Sequence, residues 1–239
     1  MKQSKFMLFD KRFWLDLLAP NRCPFCDEII HYDKVCCDKC EENLPFIDKE
    51  LCEKCGKASC VCENGISYDG CVSVVWYDDS MISPVVRFKT KTPDNFSHFF
   101  ADRIVEKLKS KELTDFDLVT CTPSGKTSLK EKGFNHAGIL GKCIAERLNL
   151  PFDDKLLLKN EDNFIQHTLD FEERAENAKK SFEFNTKKDV KGKRILLCDD
   201  IITTGSTLSA CAEVLKTNGA EFVSCAVACN TLYRKETVW

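Results

Sequence analysis

In this chain of 239 residues, the clearest indication of a binding site is a pair of adjacent carboxylates followed by a hydroxyl-rich loop. The run 195–207 reads Ile-Leu-Leu-Cys-Asp-Asp-Ile-Ile-Thr-Thr-Gly-Ser-Thr, an apolar strand pattern that ends in Asp199 and Asp200. Helical spacing follows from about Leu208 to Lys216. Such a loop offers backbone N–H groups, hydroxyl donors and the positive end of a helix dipole, which together favour phosphate binding. Gly205 lets the backbone turn sharply and approach the anion closely.

Two acids beside a phosphate cradle indicate a ligand that carries a phosphate together with hydroxyl groups or a divalent cation. The plainer interpretation is an ordinary strand–turn–helix with Asp near the start of the helix. A P-loop fits less well, because the chain has no Gly-x-x-x-x-Gly-Lys-Ser/Thr run.

The whole segment resembles the 5-phosphoribosyl-1-pyrophosphate (PRPP) motif of type I phosphoribosyltransferases. The resemblance implies that Asp199 and Asp200 face the ribose hydroxyls and a magnesium–pyrophosphate group, with Mg²⁺ entering with PRPP. It also implies that the loop holds the 5′-phosphate. The residues given that role are Thr203, Thr204, Gly205, Ser206 and Thr207.

The chain has sixteen cysteines, and nine of them lie between Cys23 and Cys62, a density that needs its own explanation. No secretory signal is recognisable, so we expect a reducing, cytoplasmic setting in which a dense cluster binds metal rather than forming disulfides. Two Cys-x-x-Cys turns complete a tetrahedral zinc site, which predicts one or two structural zinc ions. Cys36 offers an alternative to Cys37, although spacing favours Cys37. The predicted ligands are Cys23, Cys26, Cys37, Cys40, Cys52, Cys55, Cys60 and Cys62.

The chain divides into three parts by composition. Residues 1–20 show helical apolar spacing, which indicates a short amphipathic helix packed on the protein or on a partner or membrane surface. Residues 21–70 form the cysteine-rich module, and residues 71–239 form the remaining domain. No apolar stretch is long enough to span a bilayer. Residues 1–70 carry a net charge of −3, which two four-thiolate zinc sites lower to about −7. We therefore expect a scaffold or protein contact rather than a nucleic-acid module.

Strand and helix patterns alternate after residue 70, which predicts an α/β domain with a parallel sheet covered on both faces. Ligands bind beyond the carboxyl ends of the strands in such sheets, so the loops after Thr122 and after Asp200 are expected to converge. Scattered cysteines such as Cys121, Cys198 and Cys225 are expected in the core. The predicted strands are Cys71–Tyr77, Leu118–Thr122, Ile195–Asp199 and Glu221–Ala228, and the predicted helices are Phe96–Lys109, Ala137–Leu148, Glu172–Lys180 and Ser206–Lys216.

The order of these features resembles the ComF family of phosphoribosyltransferase-like proteins, which is associated with DNA uptake and competence in bacteria. The resemblance rests on the cysteine pairs, on Lys-Gly-Phe-Asn-His at 132–136 and on the PRPP motif. It implies a type I phosphoribosyltransferase-like sheet behind a small zinc-ribbon-like module, with a place in nucleoside metabolism. A further family stretch is matched by Gln166, Leu169, Arg174, Asn177 and Phe182. Lysines at 130 and 132 stand where the family commonly has arginines.

The family reaction displaces pyrophosphate from PRPP, and cations stabilise the leaving group. Lys126 and Lys130 either contact the leaving group or simply keep a surface loop solvated. His136 is either a general base or a residue that packs at the start of a helix. Two functions remain: transfer of phosphoribosyl to an unknown acceptor, or non-catalytic sensing of PRPP or a nucleotide through protein or single-stranded DNA contacts. Residues 71–239 hold 25 basic and 25 acidic residues, so DNA would need a local basic patch. The candidate leaving-group contacts are Lys89, Ser124, Lys126, Lys130 and Lys132.

Overall fold

The computed structural model describes residues 20–90, 94–160 and 181–232. The strands are β1 Gly70–Trp76, β2 Leu118–Cys121, β3 Leu157–Lys159, β4 Phe182–Phe184, β5 Arg194–Ile202 and β6 Phe222–Asn230. The helices are α1 Asp38–Asn43, α2 Asp79–Thr90, α3 Asp94–Ser110, α4 Lys126–Lys132, α5 His136–Leu148 and α6 Ser206–Thr217.

Four parallel strands form the sheet, in the order β1-β6-β5-β2. Leu196 and Cys198 of β5 pack in a core with α3 and α5, while Ile195 and Leu197 face a second core with α6. This strand is buried on both faces, which explains its continuous apolar run. The expected parallel sheet with flanking helices is confirmed.

Four local features differ from the sequence-based expectation. Segment 126–132, expected as a loop, is helix α4; its charged residues and flanking glycines hide a helical pattern. Helix α2 was not expected, because Pro84 lies inside it and proline ordinarily interrupts a helix. The antiparallel pair β3–β4 was missed because three-residue strands are too short to show alternation. Strand β5 also runs to Ile202, three residues beyond the predicted end at Asp199, so two further strand residues follow the acid pair.

The cysteine-rich module shares a hydrophobic core with the sheet domain. Phe25, between the first two zinc-ligand candidates, makes edge-to-face contacts with Phe99 and Phe100 of α3, at ring-centroid distances of 5.1 and 6.0 Å. Its ring is almost fully buried, and burying a side chain of this size stabilises the fold by roughly 1.5–3 kcal/mol. The module is therefore packed against the helical layer of the sheet domain.

The scattered cysteines behave as expected, since Cys121, Cys198 and Cys225 are all buried in the core. Within the described residues, none of the helices is long and apolar enough to cross a membrane. Apart from Pro20, the helix expected over residues 1–20 lies outside the described residues. The same holds for the stretch Glu172–Lys180 and for Gln166, Leu169, Arg174 and Asn177.

Candidate functional site

The acid pair lies near the carboxyl end of β5 and is held by its own backbone. The amide of Asp200 donates to Oδ1 of Asp199 at 2.8 Å, and the amide of Ile201 donates to Oδ1 of Asp200 at 2.9 Å. The second oxygen of Asp200 lies 2.7 Å from Nζ of Lys89 on α2. The structure thus places Lys89, which the sequence suggested as a leaving-group contact, beside the acid pair.

Asp199 has a pKa far from its ordinary value. Burial and the neighbouring Asp200 carboxylate raise the pKa of Asp199 to about 8, against a hydrogen bond with the Thr122 side chain, which lowers it. Thr122 directly follows β2, and its amide donates to the carbonyl of Cys198 on β5 at 3.0 Å. The ends of β2 and β5 therefore meet at Asp199. Thr122 was recognised only as a strand end from the sequence, although its position before Pro123 and the basic segment pointed to this edge.

The loop after β5 opens directly onto the N-terminus of α6. Gly205 precedes the helix with φ +84°, a left-handed conformation that glycine adopts without strain. The hydroxyls of Thr204 and Ser206 lie 2.8 Å apart, and the Ser206 amide donates to the Thr204 hydroxyl at 3.3 Å. Thr203, Thr204 and Thr207 are exposed. The first turn of α6 carries no acidic residue, so the helix end and the hydroxyls present an anion-binding surface.

The second predicted part of the site is the segment that follows β2. Ser124 is half-buried just after the strand, and Lys130 is exposed on α4; Lys126 and Lys132 are the end residues of the same helix. The register of β2 against β5 places this segment at the same sheet edge as the acid pair. Asn135 secures it by donating to the carbonyl of Thr122 at 2.9 Å.

His136 is a packing residue in this structure. Its ring makes edge contacts with Phe88 at 5.0 Å and with Phe134 at 4.8 Å between centroids, and its side chain is buried at the start of α5. Of the two interpretations of His136, helix-start packing is the one observed.

A groove of about 910 Å³ lies beside Ser124, between α5 and the β3–β4 ribbon. Apolar rings from Phe134 and Phe152 line it together with the amines of Lys142 and Lys159. It adjoins the acid site through Ser124, which provides space for a second, flat or anionic molecule next to the carboxyl edge.

Two groups of four cysteines gather within the module. The ligand sulfurs of each group lie within 4.8 Å of one another. The Cys26–Cys37 and Cys52–Cys62 sulfur distances are 3.8 and 3.6 Å, close to the edge of about 3.8 Å of a tetrahedron with Zn–S bonds of about 2.3 Å. Cys37 belongs to the first group. The first group is Cys23, Cys26, Cys37 and Cys40, and the second is Cys52, Cys55, Cys60 and Cys62.

Cys36 stands apart from the first group. It is buried, and its sulfur lies 4.0 Å from that of Cys23. Four thiolates leave no open coordination position, so these residues fit structural zinc and offer no catalytic metal.

Each cysteine group is also tied to the acid site by a residue that the sequence did not single out for this purpose. Arg87 of α2 donates to the carbonyls of Pro24 and Phe25 in the first group. Lys57, just after Cys55 and Gly56, reaches the end of β5. A lysine two positions after a zinc-ligand cysteine ordinarily points to solvent, so nothing in the sequence marked it.

Known protein families match both the cysteine-rich module and the sheet domain. A phosphoribosyl transferase domain profile matches residues 140–238, and a double zinc ribbon domain profile matches residues 14–72. "DNA utilization protein YhgH" of Escherichia coli (strain K12) is 25% identical over 88% of this chain and 90% of its own length. "Competence protein F" of Haemophilus influenzae is 24% identical over 84% of this chain and 93% of its own length. The chain is thus similar to proteins named for DNA utilization and competence, and it matches a phosphoribosyl transferase domain together with a double zinc ribbon.

A third relative is also similar over most of the chain. "Competence protein ComFC" of Bacillus subtilis (strain 168) is 25% identical over 78% of this chain and 80% of its own length. The phosphoribosyl transferase profile runs from α5 to beyond β6, and it includes the acid pair and the loop that follows. The double zinc ribbon profile ends at residue 72, inside β1, and it includes both cysteine groups, whose geometry fits structural zinc.

Proposed function

We propose that this protein binds PRPP with Mg²⁺ at the carboxyl edge of the sheet and transfers its phosphoribosyl group to an acceptor, releasing pyrophosphate. One observation carries the proposal: Asp199 and Asp200 lie at the end of β5, directly before an exposed hydroxyl loop that opens onto a helix N-terminus. PRPP needs this combination, because it carries a phosphate at one end and hydroxyls with a metal-bound pyrophosphate at the other.

The loop is the binding surface for the 5′-phosphate. Backbone N–H groups at the start of α6, together with the hydroxyls of Thr203, Thr204, Ser206 and Thr207, supply donors to phosphate oxygens. Gly205, with φ +84°, supplies the left-handed turn that leads the loop into the start of α6. The acid pair then accepts hydrogen bonds from the ribose hydroxyls.

Carboxylate oxygens are suitable ligands for Mg²⁺, directly or through water, so Asp199 and Asp200 would also hold the cation. Bound Mg²⁺ neutralises charge on the leaving pyrophosphate. Lys89 already lies at Asp200 and can exchange that carboxylate for a pyrophosphate oxygen. Lys130, Lys126, Lys132 and Ser124 complete the set of leaving-group contacts in this proposal. The reaction breaks the bond from C1 of the ribose to pyrophosphate and forms a bond from C1 to the nucleophilic atom of the acceptor.

The groove beside Ser124 is the entrance that we assign to the acceptor. Its two phenylalanine rings suit a flat, aromatic or base-like molecule, and its lysines suit an anionic one. Named relatives act in DNA utilization and competence, so we place the function in DNA uptake.

A second function is favoured by those same names, since none of the three relatives is named as a transferase. In this alternative the site senses PRPP or a nucleotide, and the protein acts through protein or single-stranded DNA contacts.

Pyrophosphate release separates the two functions. The protein is incubated with PRPP, Mg²⁺ and a panel of nucleobases and amines, and Asp199→Asn/Asp200→Asn serves as the inactive control. Release that requires one acceptor and both acids supports the transferase. Tight PRPP binding with no release across the panel supports the sensor.

A further inference from the structure

A lysine next to the second cysteine group places its buried ammonium inside the sheet domain. Lys57 follows Cys55 by two residues and is only 1% exposed. Its Nζ donates to Oδ1 of Asn230 at 2.8 Å, to the carbonyl of Ile202 at 3.2 Å and to the carbonyl of Thr231 at 3.3 Å. All three ammonium hydrogens therefore have acceptors, and these acceptors lie at the ends of β5 and β6.

Asn230 closes this network from the other side. Its amide nitrogen donates to the carbonyl of Gly56 at 2.7 Å and to the hydroxyl of Ser73 at 3.0 Å, and the whole side chain is buried. A buried charge needs hydrogen-bond partners and opposite charge to be tolerated. The four thiolates of the second group would supply the latter, since with Zn²⁺ they sum to −2.

The turn of residues 52–57, which carries Lys57 and is called the cysteine knuckle below, has little freedom to shift. Gly56 has φ +69°, and a Cβ there would lie 2.7 Å from Cβ of Cys71 on β1. The Gly56 amide donates to the carbonyl of Cys52 at 2.8 Å. The cysteine group is therefore seated directly on the sheet edge, and this seating directs Lys57 inward.

A second contact joins the same knuckle to the phosphate loop. The hydroxyl of Tyr68, which is fully buried, donates to the carbonyl of Cys55 at 3.1 Å. The same hydroxyl oxygen lies 2.9 Å from where a Cβ of Gly205 would be. The loop is thus contacted at both ends, through Ile202 just before it and at Gly205.

We propose that the second cysteine group positions the phosphate loop through Lys57 and Tyr68, so that a structural zinc site sets the affinity for the phosphate end of the ligand. The identity of that ligand as PRPP rests on the function proposed above. Lys57 ties the last carbonyl of β5 to the end of β6, which fixes where Thr203 begins. A loop held in its binding geometry loses less conformational freedom when the anion arrives, and affinity rises accordingly.

Lys57→Met tests the proposal in the full-length, zinc-loaded protein, because Met keeps the length of the side chain and removes the ammonium. Lys54→Met is the matched control, since Lys54 lies in the same knuckle but is exposed. We expect Lys57→Met to keep the zinc content of the wild type, to exchange the amides of residues 203–207 at least tenfold faster, and to bind PRPP at least tenfold more weakly. Lys54→Met should match the wild type in all three. Unchanged loop exchange in zinc-loaded Lys57→Met would overturn the proposal.

Tyr68→Phe provides a second route if Lys57→Met does not fold, because it removes a single oxygen from the core. Faster exchange at Gly205 and Ser206, with unchanged exchange in β6, is expected; no change in either would overturn the proposal. Amide exchange is measured without ligand. If the wild type fails to bind PRPP, the proposed function falls while the positioning proposal is still decided.

Discussion

Nζ of Lys89 lies 2.7 Å from Oδ2 of Asp200, which joins helix α2 to the carboxyl end of β5. Arg87, two residues earlier on the same helix, donates to the carbonyls of Pro24 and Phe25 in the first cysteine group. Helix α2 therefore connects the first cysteine group to Asp200. Lys57 connects the second cysteine group to Ile202 at the carboxyl end of β5. Each cysteine group is therefore joined by hydrogen bonds to an element that carries residues of the acid site.

Lys89→Met should weaken PRPP binding about tenfold, or about 1.4 kcal/mol, because it removes a cation that faces the pyrophosphate. Calorimetric titration with Mg²⁺ and PRPP measures the effect, and Lys187→Met, at an exposed lysine near the opposite end of β5, is the control. If Lys89 serves only to neutralise Asp200, the variant will bind as well as the wild type or better, and the leaving-group role is then wrong.

Asp199 should make the ligand-free protein less stable as the pH rises. Burial and the Asp200 charge raise the pKa of Asp199 to about 8 from an ordinary value of 3.8. Between these values the folded chain holds a proton that the unfolded chain releases, so the free energy of unfolding falls with increasing pH until about pH 8. Asp199→Asn, which cannot ionise, should lose this part of the dependence.

Thermal melts at pH 6 and pH 9, without PRPP or Mg²⁺, measure that dependence. We expect Asp199→Asn to gain stability relative to the wild type at pH 9 more than at pH 6. Asp189→Asn, at an exposed turn position, is the control. Parallel pH profiles for the wild type and Asp199→Asn would mean that Asp199 is not perturbed.

Gly205→Ala should cost more stability than Gly192→Ala. Both glycines have positive φ, +84° and +69°, so each alanine bears the left-handed strain of roughly 1–2 kcal/mol. A Cβ at 192 meets nothing within 4 Å, whereas one at 205 meets the Tyr68 hydroxyl at 2.9 Å. Chemical denaturation should show this difference, and Tyr68→Phe should recover part of it. Equal costs for the two alanines would remove the Tyr68–Gly205 contact from the account.

Cys37→Ser should reduce the zinc content by about one ion per chain, while Cys36→Ser should leave two. Cys37 belongs to the first cysteine group, and Cys36 is a buried thiol beside it. Metal analysis of the purified proteins makes the comparison. Loss of zinc from Cys36→Ser with retention in Cys37→Ser would reverse the ligand assignment.

The sequence predicted the strands and helices that have clear periodicity. Strand β5 and helix α6 are examples, because a buried parallel strand reads as an apolar run and a surface helix repeats every 3–4 residues. The loop after β5 was predicted from its position after a strand, whereas the segment after β2 was predicted as a loop and contains helix α4. The local motif therefore predicted the acid pair together with the loop, as one continuous segment.

Contacts between distant parts of the chain were not predictable in the same way. Lys57 lies 145 residues before Ile202 and 173 before Asn230, and no periodicity encodes such a pairing. Tyr68 approaches Gly205 because its neighbours Ser67 and Asp69 are hydrogen-bonded to Ser209 of α6 and Val223 of β6, far along the chain. The acceptor groove likewise depends on the short β3–β4 ribbon, whose strands carry too few residues to be recognised.

Calorimetric titration of the protein with PRPP and Mg²⁺, repeated with Asp199→Asn/Asp200→Asn, tests whether PRPP binds at the acid pair. We expect saturable binding by the wild type that requires Mg²⁺ and weakens at least tenfold in the double variant. Asp189→Asn should bind as the wild type does. PRPP affinity that is absent in the folded, zinc-loaded wild type, or that is unchanged in the double variant, would contradict the assignment of this edge of the sheet as the PRPP site.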